Sequence, residues 1–248
     1  MKKILVAALL ASSVGALFAQ EEEVPEEINK LPDPTCVQVS LASPLHLPSK
    51  YREVTAFRWN IFYGRSLAVT GFDLGLVNLT AESGNMVGLE LGLYNYVDGA
   101  MEGVQLGLFG NYAYKNSYGV QLSTIMNWNV SMFTGAQASL FNYDSELDGA
   151  QLGFLNWCYG AVEGAQFGIV NVARNDFTGF ALGAINYCEG GLHGAQVGLL
   201  NMISGSSYGF QLGLLNAAEE HTGVQIGLLN LNTAALMPIL PLVNASFR

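Results

Sequence analysis

Gly194-Ala195-Gln196-Val197-Gly198-Leu199-Leu200-Asn201 decides the reading of this chain, because the same pattern stands earlier as Gly149-Ala150-Gln151-Leu152-Gly153-Phe154-Leu155-Asn156. Working outward, the unit G-x-Q-x-G-x-x-N occurs in eleven copies, which start at Gly71, Gly88, Gly103, Gly119, Gly135, Gly149, Gly164, Gly179, Gly194, Gly209 and Gly223. Successive starts lie 14 to 17 residues apart. The third position is Gln in eight copies, Asp73 and Glu90 in the first two, and Ala181 in one. Ser123 and Ser139 replace the second glycine, and the closing Asn is delayed by one residue at Asn111 and Asn127. A fixed period of this kind is the signature of a repeat architecture, so it is settled before any local structure.

The second, fourth and sixth positions are small or apolar, as in Ala195, Val197 and Leu199, with Gln196 and Gly198 between them. A period of two predicts a strand with one apolar face. The links from each Asn to the next Gly are turn-like, as in Ala217-Ala218-Glu219-Glu220-His221-Thr222, and carry most of the charge, opposed by Lys115 and Arg174 alone. Between Pro48 and Met237 there is no proline, and 28 of the 29 glycines fall between Gly64 and Gly227. Backbone N–H groups are therefore kept for ladders.

Two all-β architectures fit. In a β-solenoid each period of about 15 residues is one coil, and eleven rungs at about 4.8 Å give a rod about 53 Å long. In a closed antiparallel outer-membrane β-barrel each period is a strand and a turn, and the aromatics that follow the Asn (Tyr96, Tyr112, Trp128, Tyr143, Trp157, Tyr187) form a girdle. Three points favour the solenoid. Antiparallel neighbours would put identical Gln and Asn at alternating ends, whereas stacked coils let like amides form ladders. Every link is short, where membrane barrels alternate short turns with long loops. The Asn at the strand end leaves neither face purely apolar. The barrel stays as the alternative.

The N-terminus reads as an address. Lys2 and Lys3 precede an apolar run from Ile4 to Ala19, as in a secretory signal peptide, with cleavage expected after Ala19 or near Val14-Gly15-Ala16. The expected organisation is signal peptide 1–19, acidic and Pro-rich leader 20–50, N-terminal capping strand region 51–70, repeat domain 71–231 and C-terminal cap 232–248. Within the leader, Val37-Gln38-Val39-Ser40-Leu41 alternates as a short strand. The chain of 248 residues is 50% hydrophobic and 12% charged, with a net charge of −10. It can bury a core, which excludes global disorder. Its acidity argues against a nucleic-acid partner.

The stacked G-x-Q-x-G-L-L-N units, the preceding Phe57-Arg58-Trp59-Asn60-Ile61-Phe62-Tyr63-Gly64 and the final Pro238-Ile239-Leu240-Pro241-Leu242-Val243-Asn244 resemble a family of bacterial surface repeat-containing proteins known from spirochaetes. The likeness covers about residues 55 to 247. It implies the surface or envelope of a diderm bacterium, with no assigned catalysis, and it carries over no functional residue.

The remaining chemistry is weighed residue by residue. Gly205-Ser206-Ser207-Tyr208-Gly209 matches the nucleophile-elbow pattern, but it links two repeats where the motif needs a strand before and a helix after, so it reads as a turn. His193 and His221 lie in links without paired ligand spacing and read as surface histidines, so no metal site is expected. Cys158 and Cys188 share a repeat position two periods apart, about 9.6 Å by strand spacing, beyond the roughly 7 Å a disulfide allows. The Gln row, with Gln166, Gln196 and Gln211 as the candidates, forms either a stabilising ladder, which is preferred, or a polar outer stripe for a glycan. The expected protein is thus an exported, non-enzymatic β-repeat module of the cell envelope, periplasm or outer membrane, without cofactor. Its partner would be a surface ligand or envelope component, with membrane association left open; the alternative function is a small outer-membrane pore.

Overall fold

Each period makes two short strands separated by bends, as in Phe177–Leu182, Ile185–Cys188 and then Leu192–Val197 of the next coil. The structure, a computed structural model, describes residues 33–42, 45–47, 52–81 and 83–247. Signal peptide 1–19 and leader residues 20–32 lie outside the described residues. The described residues form a β-solenoid of about 12 turns, without helix.

Successive coils stack in parallel and in register. Gly149 pairs with Gly164, Gly164 with Gly179, Gly179 with Gly194, and Gly194 with Gly209. The Gln and Asn columns align in the same way, for example Gln151 with Gln166 and Asn156 with Asn171. The barrel alternative is thereby excluded, because barrel neighbours joined by short turns must run antiparallel.

The stacking depends on the first glycine. All eleven have positive φ, from 123° at Gly71 to 144° at Gly149. A Cβ on Gly164 would lie 2.0 Å from the carbonyl oxygen of Gly149, so this column must lack side chains in every coil.

The orientation of the strand faces is opposite to the simple amphipathic expectation. Position three, the Gln column, and position eight, the Asn column, point inward: Gln151, Gln211, Asn156 and Asn201 are all fully buried. The apolar fourth and sixth positions point out, with Leu152 59%, Phe154 50% and Leu199 54% exposed. The apolar core comes instead from the links, through Met101, Phe133, Leu147, Val162, Phe177 and Leu192 on one side and Ala113, Cys158, Ala173, Cys188 and Ile203 on the other. The bend after the fourth position explains the inversion. It leaves a backbone carbonyl facing the interior, and a buried carbonyl needs a donor. Asn156 Nδ2 donates to Phe167 O at 2.9 Å, and Asn186 Nδ2 to Val197 O at 2.9 Å.

Both ends of the stack reverse direction. Glu53–Ser66 stacks in parallel on Ala68–Thr80, and Thr35–Ala42, the strand expected around Val37–Leu41, stacks in parallel on Glu53–Ser66. Leu45–Leu47 then folds back antiparallel on Thr35–Ala42. At the other end Ile239–Ser246 runs antiparallel to Leu215–Asn232 and contains Pro241. An antiparallel edge carrying proline opposes further parallel addition.

Candidate functional site

The polar interior is the chemically richest part of the molecule. The Asn column is one continuous chain of hydrogen bonds from Asn60 to Asn230. Each Nδ2 donates to the Oδ1 of the following coil, at 2.8 Å for Asn156 to Asn171, Asn171 to Asn186 and Asn186 to Asn201. From Asn78 to Asn230 the second N–H of each amide goes to the inward carbonyl, whereas that of Asn60 goes to Asp73 Oδ1 at 3.1 Å.

The Gln column runs the other way. Gln121 Nε2 donates back to Gln105 Oε1 at 2.7 Å, Gln137 to Gln121 at 2.8 Å, and Gln166 to Gln151 at 2.7 Å. The two columns are therefore opposed rows of aligned dipoles. Ala181 interrupts the Gln row, and Gln166 Oε1 is left without a partner. Beyond the gap the row resumes, with Gln225 donating to Gln211 at 2.7 Å and Asn244 of the final strand to Gln225 at 3.0 Å.

Towards the N-terminus the Gln row changes chemistry. Gln105 donates to Glu90 Oε2 at 2.7 Å. In the coil before Glu90, Asp73 is bound by Arg58 through Nε at 2.8 Å and through a second contact from Nη2. Arg58 also donates to Ser66 Oγ at 2.6 Å and Leu79 O at 2.8 Å. Burial, with the Asp73 carboxylate beside it, pushes the Glu90 carboxyl up to about 8, so it is mostly neutral at pH 7. Arg58 and Asp73 can then remain a simple buried ion pair, each with further hydrogen bonds.

A second buried acid lies on the opposite wall. Asp144 accepts from Asn129 Nδ2 at 2.7 Å, Gln137 Nε2 at 3.0 Å and Gln151 Nε2 at 2.7 Å. Burial pushes its carboxyl up to about 7, and the three amides hold it back from rising further. The repeat alignment placed Asp73 and Glu90 in the Gln column. Arg58, one period before Asp73, and Asp144, where other coils carry Cys158, Ala173 or Ala218, were passed over; their departure from the column consensus was the available signal.

The Gln166, Gln196 and Gln211 side chains lie inside, at most 1% exposed, with Gln166 donating to Gln151 and Gln211 to Gln196 within the stack. A glycan on the outside cannot reach them, so the outer-stripe reading is corrected. His221 is also corrected: it is 1% exposed, and its Nδ1 meets Ser207 Oγ, itself buried, at 3.0 Å. The fold does bring the serine of the elbow-like motif to a histidine, but both are sealed between stacked coils inside strands. Burial holds the His221 pKa below its ordinary value. His193 is exposed and stacks on Tyr208, with ring centroids 5.1 Å apart.

Cys158 and Cys188 are buried free thiols, and Ala173 pairs with both from the coil between them. Burial pushes each thiol up to about 12, far from the thiolate needed for nucleophilic chemistry. Among the described residues no group of three or more His, Cys, Asp or Glu is placed to hold a metal ion. Of the six aromatics that follow an Asn, two pairs stack from rung to rung, Tyr96 on Tyr112 at 4.7 Å and Trp128 on Tyr143 at 4.0 Å between ring centroids.

Outside, polarity is divided between two long edges. The bend at the fourth to seventh positions carries leucine rows and no charged residue in any repeat. The opposite edge carries Asp98, Glu102, Glu146, Asp148, Glu163 and Glu189, with Arg174 ion-paired to Glu189. Comparison of the chain with protein-family models, curated proteins and solved structures finds no match in any of the three.

Proposed function

We propose that the chain is an exported, non-enzymatic structural or interaction module of a diderm bacterial envelope, presented at the cell surface, outer membrane or periplasm. The observation that carries this reading is the use of its reactive side chains. Arg58, Asp73, Glu90, Asp144, Ser207 and His221 are all sealed in the interior and engaged with one another or with the amide columns. The polar chemistry thus serves to hold coils together, and what a partner meets is a long, regular exterior. The charged and apolar segments at 1–19 and the resemblance to surface repeat proteins support export.

The test is expression of the full chain in a diderm host, followed by fractionation and proteolysis of intact cells. The reading expects loss of residues 1–19, recovery in the envelope or periplasmic fraction and, for surface display, cleavage by added protease. Recovery in the cytosol with Met1 to Ala19 still attached would refute it.

A further inference from the structure

The uncharged edge has a shape as well as a polarity. Glycines at the fifth position, such as Gly183, Gly198 and Gly213, form the floor of a shallow groove walled by Val197 and Leu212 on one side and Leu199 and Leu214 on the other. A similar groove recurs towards the N-terminus between Leu106, Leu122 and Leu108, where Ser123 replaces one floor glycine and Thr124 one wall leucine. Its walls are well exposed: Leu199 is 54%, Leu214 48% and Leu228 61% accessible.

We infer that this leucine-walled edge is the interface with a second copy of the same chain, the two rods lying side by side. Size is the first argument. Eleven rungs at about 4.8 Å, with about 15 Å of apolar breadth, give roughly 800 Å² per copy. That is about what each partner buries in a standard stable interface, and it exceeds the roughly 300–600 Å² of a typical monomer's largest apolar patch.

Shape is the second argument. A leucine ridge beside a glycine-floored groove is self-complementary about a two-fold axis, because the ridge of each rod drops into the groove of the other. Both rods repeat at the same strand spacing, so meshing of one rung brings the overlapping rungs into register, with the fit interrupted where Ser123 and Ser139 replace the floor glycine. A fluid lipid surface gains nothing from that regular comb. Charge is the third argument. Pairing through this edge points both acidic edges outward, separated by two rod widths and well beyond the screening length of about 8 Å.

The test uses the chain freed of residues 1–19, purified without detergent and followed by sedimentation from about 1 to 50 µM. The wild type is expected to be a dimer. Leu199→Glu with Leu214→Glu places four carboxylates in the interface and is expected to weaken association at least about 100-fold. Because both side chains are exposed, the far-ultraviolet spectrum should be unchanged. Glu163→Gln on the opposite edge should leave the dimer intact. A wild-type monomer across this range overturns the proposal, as does a dimer that survives the double substitution in folded protein. Flotation of a monomeric wild type with neutral phosphatidylcholine vesicles, abolished by the same pair, would assign the edge to lipid and equally overturn it.

Discussion

Glu90 accepts the Gln105 amide at 2.7 Å in a column where eight of the eleven repeats use glutamine. It is the one member that must hold a proton to remain neutral. Glu90→Gln would keep the acceptor for Gln105 and add an N–H towards Asp73. In the unfolded chain Glu90 ionises near 4, whereas in the fold it stays largely neutral to about 8. Removing that mismatch is expected to stabilise the protein at pH 7.5 by up to about 4 kcal/mol, or up to about 8–16 °C in Tm. A lower Tm for the variant would contradict the assignment.

The same mismatch, shared by Asp144, sets a pH dependence. Both carboxyls have raised folded values, about 8 and about 7, so between their unfolded and folded pKa values the folded state binds more protons. Their favourable contribution is complete below about 4 and is lost as pH rises through the folded values. His221, with its lowered value, acts oppositely and only below about 6.5, where protonation favours unfolding. Thermal melts should therefore show Tm falling from pH 6.5 to 9. Glu90→Gln combined with Asp144→Asn should flatten that slope whatever it does to the absolute Tm.

Gly164→Ala places a methyl group 2.0 Å from the Gly149 carbonyl oxygen at a φ of +135°. Stacking cannot relax without opening a rung, so a cost of at least about 3 kcal/mol is expected. Ala165→Gly at the neighbouring outward position should cost no more than about 1 kcal/mol. Equal losses from the two in urea unfolding would show that the glycine column is not the constraint.

The direction of the Asn column can be tested by Asn171→Asp. An aspartate accepts from Asn156 but cannot donate to Asn186 Oδ1 or to Leu182 O, which Asn171 Nδ2 reaches at 2.8 and 3.0 Å. Two buried acceptors would lose their donor, at about 2–4 kcal/mol. Acidification should restore part of the loss, because a protonated carboxyl can donate once. Unchanged stability at pH 7.5 would show that the amides do not run as described.

Ala181→Gln would close the gap in the Gln row. Its amide can donate to the orphaned Gln166 Oε1, and its oxygen can face Gln196. The coil at Phe133 and Gln137 already combines an aromatic core residue with glutamine, so the neighbouring Phe177 can be accommodated. A gain of about 1 kcal/mol is expected, read as a higher midpoint in guanidinium; a lower midpoint would show that packing at Phe177 outweighs the amide.

The repeat was legible because chemistry recurs at a fixed period. The parallel stack was favoured by it, since stacking in register gives identical Gln and Asn a reason to be identical, but only the observed register of Gly149 on Gly164 excluded the barrel. The facing of the strands was not legible in Ala195-Gln196-Val197. Alternation says that two faces differ but not which one is inside, and burial of the apolar face is only the usual outcome. His221 was misplaced for a related reason: the link residues that look like turns include the core column of Phe177, Leu192 and Ser207. Arg58 lies in the same interior column as Asp73, but only the register of Glu53–Ser66 on Ala68–Thr80 brings the two together.

The sequence by itself determined that this is an all-β chain of near-identical units, because glycine, glutamine and asparagine recur at a fixed spacing along period-two strands; the parallel register of the coils then decided for a stack and against a barrel. Only the tertiary structure decided that the amides line the interior and the leucines the outside. That choice turns on the inward backbone carbonyl left at each bend. It needs a buried donor in every coil, and an asparagine repeated at the rung spacing supplies one while bonding its own neighbour.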